Sequence, residues 1–101
     1  MLLYNVTSNV DEAVADAWLF FMRTVHVPEV LATGCFERSQ IYRLLDEEDN
    51  GGRTYALQYY CPDAATLDRY QREFAPALRT DLERRFPNQY VSFRTVLEVV
   101  E

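Results

Sequence analysis

Four stretches of the chain alternate apolar and polar residues, and two longer stretches repeat apolar residues every three or four positions. The period of two predicts strands, and the longer period predicts amphipathic helices after the first and third strands. The strands are predicted over residues 2–10, 35–45, 53–61 and 90–100. Pro28 is expected to stop the first helix and Pro76 to kink the second. An Asn50-Gly51-Gly52 turn joins the two middle strands as a hairpin.

The order of these elements is β-α-β-β-α-β, with no linker between the halves. Right-handed crossover connections then place both helices on one face of a four-stranded antiparallel sheet. The sequence therefore predicts an α+β, ferredoxin-like fold with strand order fourth, first, third, second. At 101 residues and 49% hydrophobic content, the chain supplies one core, so residues 1–101 are expected to form a single domain.

The face of this sheet that lies away from the helices is predicted to be mixed in character. The hairpin sets Gln40 opposite Gln58, and Asn5 and Arg94 are expected to continue that polar row across the sheet. Apolar side chains are expected on the same face, namely Leu3, Tyr42, Leu44, Tyr60 and Val96. A mixed surface of this kind is typical of an interface, so we expect a homodimer in which two sheets pack into a closed barrel. The alternative is a small-molecule pocket inside the barrel, with Arg94 as an anion anchor.

Charge and composition limit the classes of partner that are expected. The net charge is −6 and no run of basic residues exceeds Arg84-Arg85, so nucleic acid and anionic membranes are not expected partners. The N-terminus lacks the pattern of a signal peptide and no segment approaches the ~20 apolar residues of a membrane span. A cytoplasmic location is expected, with Cys35 and Cys61 as small buried thiols rather than a disulfide.

His26 is the only histidine, and it falls where Pro28 is expected to end the first helix. Its ordinary pKa near 6.5 suits a general base, and Glu29 could orient it. A helix C-terminus would favour the charged imidazole. The alternative is that His26 bonds the free carbonyls of its own helix end. One histidine and Glu29 are too few ligands for zinc, and no phosphate-binding glycine loop is present, so neither metal nor cofactor is expected.

Aromatic residues are the second candidate feature. The strand and helix phases direct several of them into the layer between sheet and helices, where buried hydroxyls need partners. They are expected to line a ligand cavity there, or else to be ordinary core. The candidate lining residues are Tyr4, Trp18, Tyr59 and Tyr70.

Several segments together resemble a bacterial family catalogued as domain of unknown function 4286. The most specific is the phrase His26-Val27-Pro28-Glu29-Val30-Leu31-Ala32-Thr33-Gly34. The others are Tyr4-Asn5-Val6-Thr7, residues 18–22, Ala75-Pro76-Ala77-Leu78 and Phe93-Arg94-Thr95. The resemblance spans the chain and implies a ferredoxin-like fold of the dimeric α/β barrel type, without an established activity. More distantly, the chain resembles small dimeric barrels that include cofactor-independent monooxygenases.

Two hypotheses follow from this sequence. In the first, a homodimer binds a small aromatic or anionic molecule and transforms it without metal or cofactor, with His26 in proton transfer. It predicts an open cavity that reaches His26. In the second, the chain is a non-catalytic dimeric interaction module, which predicts a filled interior and a His26 that bonds only to backbone.

Overall fold

The computed structural model describes residues 1–101 and confirms the predicted order of elements. The strands are β1 (Leu2–Asp11), β2 (Arg38–Arg43), β3 (Gly52–Cys61) and β4 (Tyr90–Glu98). The helices are α1 (Ala15–Phe21), α2 (Val27–Ala32), α3 (Ala64–Glu73) and α4 (Ala75–Arg85). All neighbouring strands pair antiparallel in the order β2-β3-β1-β4. This is the ferredoxin-like fold expected from the sequence.

The first helix does not stop before Pro28. Residues 22–26 form a π-helical turn, here called the π segment, which joins α1 to α2 without a break. The N–H of Val27 bonds to the carbonyl of Met22, five residues back. Pro28 has no N–H to donate and its ring would crowd the carbonyl four residues back in a regular helix. The wider turn relieves this crowding, so the expectation of a helix end at His26 was wrong.

The second helical region divides, as expected, at its proline. Phe74 leaves the helical range with φ of −117°, and Pro76 lies in the first turn of α4, where its missing N–H costs nothing. Asp63 caps α3, because its side-chain Oδ1 accepts a hydrogen bond from the N–H of Thr66 at 2.8 Å. The two helices can therefore follow the curved face of the sheet separately.

The core fills the layer between the sheet and the helices. Alternate residues of β1 and β3 face this layer, including Tyr4, Val10, Tyr55 and Leu57, all buried. Trp18 is fully buried and stacks on Tyr55, with ring centroids 5.6 Å apart. Both cysteines are buried and free. No helix is both long and apolar enough to cross a membrane.

The open face of the sheet agrees with prediction except on β4. Asn5 lies opposite Gln58, and Gln58 lies opposite Gln40, as expected. Arg94, however, pairs with Val6, and Val96 pairs with the buried Tyr4. Both therefore belong to the helix face, and their placement on the open face was wrong.

The physical reason for that error is the edge position of β4. The prediction took the phase of this strand from Arg94, which it matched to the polar row of the neighbouring strands. The alternation is inverted: Phe93 lies opposite Thr7 and Val91 opposite Asn9, both on the open face. Their exposed fractions are 64% and 71%. The apolar side of β4 is thus the side that nothing in the single chain covers.

Candidate functional site

A narrow cavity lies between the sheet and the helices, on the side of β4. The centres of water molecules can occupy about 40 Å³ of this cavity. That volume is room for about three waters. Residues from both layers form the wall. The sheet contributes Tyr4, Val6, Ser8, Leu57, Tyr59, Tyr90, Ser92 and Arg94, and the helical layer contributes Met22, His26, Tyr70, Leu78, Arg79 and Leu82.

His26 reaches this cavity from the last position of the π segment. Its imidazole makes no hydrogen bond to any protein group, so the expected bond to helix carbonyls is absent. The pKa of His26 is lowered to about 4, mainly by burial; the negative charge of Asp81 partly opposes this, and the positive charge of Arg94 contributes to the lowering. The expectation of a charged imidazole was wrong, because the helix continues past His26 and the ring is desolvated. At neutral pH the imidazole of His26 is therefore uncharged and can accept a proton.

Two of the candidate residues lie away from the cavity. Glu29 is exposed and makes no hydrogen bond to His26. It lines a separate surface cleft of about 310 Å³ between α2 and the α3–α4 junction. Leu78 belongs to the walls of both the cleft and the cavity, so its side chain separates the two. Trp18 packs in the filled part of the core and does not line the cavity.

The other aromatic candidates gather as expected. Tyr4, Tyr59 and Tyr70 are buried and line the cavity, and the ring centroids of Tyr4 lie 6.2 Å from Tyr59 and 6.0 Å from Tyr70. Burial raises the pKa of Tyr59 and of Tyr70 well above the ordinary value, and raises that of Tyr90 to about 12. These hydroxyls stay protonated at neutral pH and remain hydrogen-bond donors.

Arg79 and Arg94 converge on the hydroxyl of Tyr4. The Nε of Arg94 donates to this oxygen at 3.1 Å, and an Nη of Arg79 donates to it at 3.3 Å. Arg79 also donates to the side-chain oxygen of Gln71 at 2.8 Å. Neither arginine forms a salt bridge, whereas Arg53, Arg72, Arg84 and Arg85 all do.

Sequence reasoning missed Arg79 altogether. It lies on a face of α4 without any motif, and its contact with Tyr4 joins residues 75 positions apart in the chain. Only the tertiary fold brings the two together, so no local signal could have identified it. The structure brings no three His, Cys, Asp or Glu side chains into a group that could hold a metal ion.

The family model described as Domain of unknown function (DUF4286) matches residues 1–100. The chain belongs to this family. Among curated proteins, none has a sequence that matches this DUF4286 protein significantly.

Solved structures show the same fold in proteins of very different sequence. HapK from Hahella chejuensis has a TM-score of 0.73 at 16% identity, with 99% of this DUF4286 chain and 93% of HapK covered. SnoaB, a cofactor-independent oxygenase from Streptomyces nogalater, has a TM-score of 0.65 at 13% identity, with 99% and 94% covered. A dimeric ferredoxin-like protein from an uncultured marine organism has a TM-score of 0.70 at 10% identity, with 100% and 96% covered. At these identities the similarity establishes the fold alone.

Proposed function

We propose that this protein is a homodimer that binds a small aromatic or anionic molecule in the His26 cavity, with His26 accepting a proton from it without metal or cofactor. The observation that carries the proposal is the state of His26. A neutral imidazole with no protein partner faces a polar cavity, and an unbonded base of this kind is free to contact a ligand.

The cavity wall indicates the chemistry of the ligand. The rings of Tyr4, Tyr59 and Tyr70 offer aromatic surfaces, and protonated hydroxyls offer donors to a ligand oxygen. Arg94 supplies positive charge on the same wall. When His26 takes a proton from a C–H or O–H group, the electron pair stays on the ligand, and nearby donors stabilise the resulting anion.

The present volume limits how much of a ligand can enter. Pockets for complete small molecules are typically ~300 Å³ or more, whereas this cavity measures about 40 Å³. Leu78 is half-buried and separates the cavity from the larger Glu29 cleft. A rotation of this one side chain would join them, so we propose that the ligand lies in the cleft with its reactive end at His26.

The open face of the sheet supports the homodimer. The polar row Asn5, Gln58 and Gln40 crosses its centre, while Val91, Phe93 and Tyr42 leave large apolar surfaces exposed. An apolar patch with interior polar groups suits a self-complementary interface, in which the amides pair across the two-fold axis. Similarity of fold to a dimeric ferredoxin-like protein is consistent with this. Two free buried thiols also suit the reducing cytoplasm, which we propose as the location.

The second candidate function is a non-catalytic dimeric interaction module. The small size of the cavity favours it, because about 40 Å³ is too little for a complete small molecule. In this second function the dimer interface is the same, and His26 binds no ligand.

A ligand screen separates the two functions. The imidazole signals of His26 are unambiguous because the chain has no other histidine, so NMR can follow them while small aromatic acids and neutral aromatic compounds are added. For a bound compound with an acidic C–H group, exchange of that hydrogen with D₂O should be accelerated by the protein and lost in His26→Gln. Signals that stay fixed with every compound would leave the interaction module as the function.

The interface has its own test. Phe93→Glu places a charge on the open face and should convert the dimer to a monomer in analytical ultracentrifugation. Phe20→Glu is the matched control, because Phe20 is exposed to 68% on α1 and Phe93 to 64% on the open face. A wild-type protein that sediments as a monomer would contradict the proposed dimer.

A further inference from the structure

The Arg79–Tyr4–Arg94 cluster brings two positive charges together without a carboxylate between them. Two guanidinium nitrogens lie within 3.3 Å of one phenolic oxygen, and no carboxylate pairs with either arginine. Like charges in such proximity repel unless an anion lies between them. Six of the ten arginines lack a salt bridge, but only Arg79 and Arg94 converge on one oxygen, and their remaining N–H groups can donate to a ligand.

The nearby acids are engaged elsewhere. Asp81 accepts from Arg85 at 3.3 Å and lies 4.0 Å from Arg84. Glu83 accepts a hydrogen bond from the backbone N–H of Asn88 at 3.3 Å and forms no salt bridge with either arginine. The only other polar partner of the cluster is Gln71, which is neutral. The positive charge at this side of the cavity is therefore not cancelled by its surroundings.

The geometry also fits the proposed reaction centre. Tyr4 accepts from both arginines, and its own proton remains available to donate. Planar guanidinium groups match the two oxygens of a carboxylate, and Arg79 and Arg94 share the cavity wall with His26. An anion held there would lie next to the unbonded imidazole.

We propose that Arg79, Arg94 and the Tyr4 hydroxyl form a binding site for the carboxylate of a small aromatic acid, which they orient toward His26. This inference rests on the proposed small-molecule function and specifies its ligand class. The bound carboxylate offsets the charge of Arg94 and stabilises a proton on His26, so the base becomes stronger when the site is filled. Binding and protonation are thereby coupled, and each promotes the other.

The charged and titratable groups around His26 come from five packed elements. They are Tyr4 on β1, Tyr59 on β3, Tyr70 on α3, Arg79 and Asp81 on α4, and Tyr90 and Arg94 on β4. Tyr59, Tyr70 and Tyr90 stay neutral through the acidic range, because burial raises the pKa of each. Changes in the His26 titration therefore report on the arginines, on Asp81 and on the bound anion.

The test compares benzoate with benzamide, which has nearly the same shape and no charge. Binding is followed through the His26 imidazole signals at neutral pH. Wild-type protein should bind benzoate at least tenfold more tightly than benzamide, and saturation with benzoate should raise the pKa of His26 by half a unit or more. Arg79→Gln and Arg94→Gln should each weaken benzoate about tenfold and leave benzamide unchanged.

The controls separate a binding role from a structural one. Arg43→Gln removes the same charge from an exposed arginine that lines a different cleft, and should leave both affinities unchanged. Tyr4→Phe keeps the ring and removes the hydroxyl, and should weaken benzoate only. Equal affinities for benzoate and benzamide would overturn the carboxylate site and leave the small-molecule function standing. If neither compound moves the His26 signals, the carboxylate site fails, and the wider ligand screen then decides the small-molecule function.

Discussion

The layer between sheet and helices has two ends that differ sharply. At the Trp18 end, aromatic rings fill the space: Trp18 is fully buried against Tyr55, and its indole Nε1 has no hydrogen-bond partner. At the His26 end, serine, tyrosine, histidine and arginine side chains surround a cavity. The same helix, continued through the π segment, supplies both residues. The difference shows that one end stabilises the fold while the other keeps polar groups accessible.

The largest test of this contrast is at the filled end. Trp18→Ala removes a fully buried indole from a wall that cannot collapse, and should lower the free energy of unfolding by about 3–5 kcal/mol. Phe20→Ala, on the exposed side of the same helix, should change it by less than about 0.5 kcal/mol. Urea unfolding gives both values. If Trp18→Ala lowers the free energy of unfolding no more than Phe20→Ala does, the Trp18 end is not packed more tightly than the His26 end.

At the hollow end, His26 should make stability depend on pH. The folded protein holds the pKa of His26 at about 4, below its ordinary value of 6.5. Between these values the unfolded chain binds a proton that the folded chain does not, so stability falls as pH falls. The loss should approach about 3 kcal/mol below pH 4. It is measured as the difference between wild type and His26→Gln in urea unfolding from pH 7 to pH 4.

Identical pH curves for the two proteins would mean that His26 is hydrated in the folded state. That outcome would place the imidazole in solvent rather than in the cavity wall. A smaller difference that disappears in Arg94→Gln would assign the shift to charge more than to burial.

Truncation of Leu78 should have an intermediate effect on stability, because this side chain borders empty space on two sides. Leu78→Ala should lower the free energy of unfolding by about 2 kcal/mol, at the low end for truncation of a leucine, since water from the Glu29 cleft can enter. The same change should tighten benzamide binding at the His26 signals. Leu67→Ala, in the closed core of α3, is the matched control and should cost more. If Leu78→Ala is the more costly of the two, this part of the wall is as tightly packed as the core.

The smallest effect is expected for Ser8. Its buried hydroxyl pairs with that of Ser92 at 2.6 Å beside the cavity. Ser8→Ala should cost about 1 kcal/mol, because the freed Ser92 hydroxyl can turn to cavity water. Thermal unfolding against Thr24→Ala, which removes a surface hydroxyl bonded to the Phe20 carbonyl, measures the difference. A cost above about 3 kcal/mol would indicate a dry site.

Sequence patterns predicted the fold because strand alternation and helical spacing are local. The same patterns identified only some of the residues at the His26 end of the layer. Tyr4, Tyr59 and Tyr70 followed from their faces, but Arg94 was assigned to the wrong face because an edge strand with an uncovered side can reverse the usual alternation. Glu29 was paired with His26 by proximity along the chain, although the helix carries it to the surface.

The π segment corresponds to one feature of residue spacing that the sequence prediction missed. Buried positions along the first helix are Ala15, Trp18, Phe21, Met22, Val27 and Val30. The step from Met22 to Val27 is five residues, longer than the three or four of an ordinary helix. An ordinary three-residue step from Met22 would bury Val25, which is only half-buried. A five-residue step just before a proline was the available signal.

This extra residue is accommodated inside the wider turn and does not shift the second half of the helix. Five residues of the π segment bring Val27 to the face of Met22, a step that takes four residues in an ordinary helix. Deleting Thr24 would therefore leave Val27 and Val30 in the core, whereas an insertion that kept the ordinary helical turn would rotate everything after it by about 100°. The wider turn thus lets the chain carry one more residue, with His26 at its end, between two halves of a helix that keep their places.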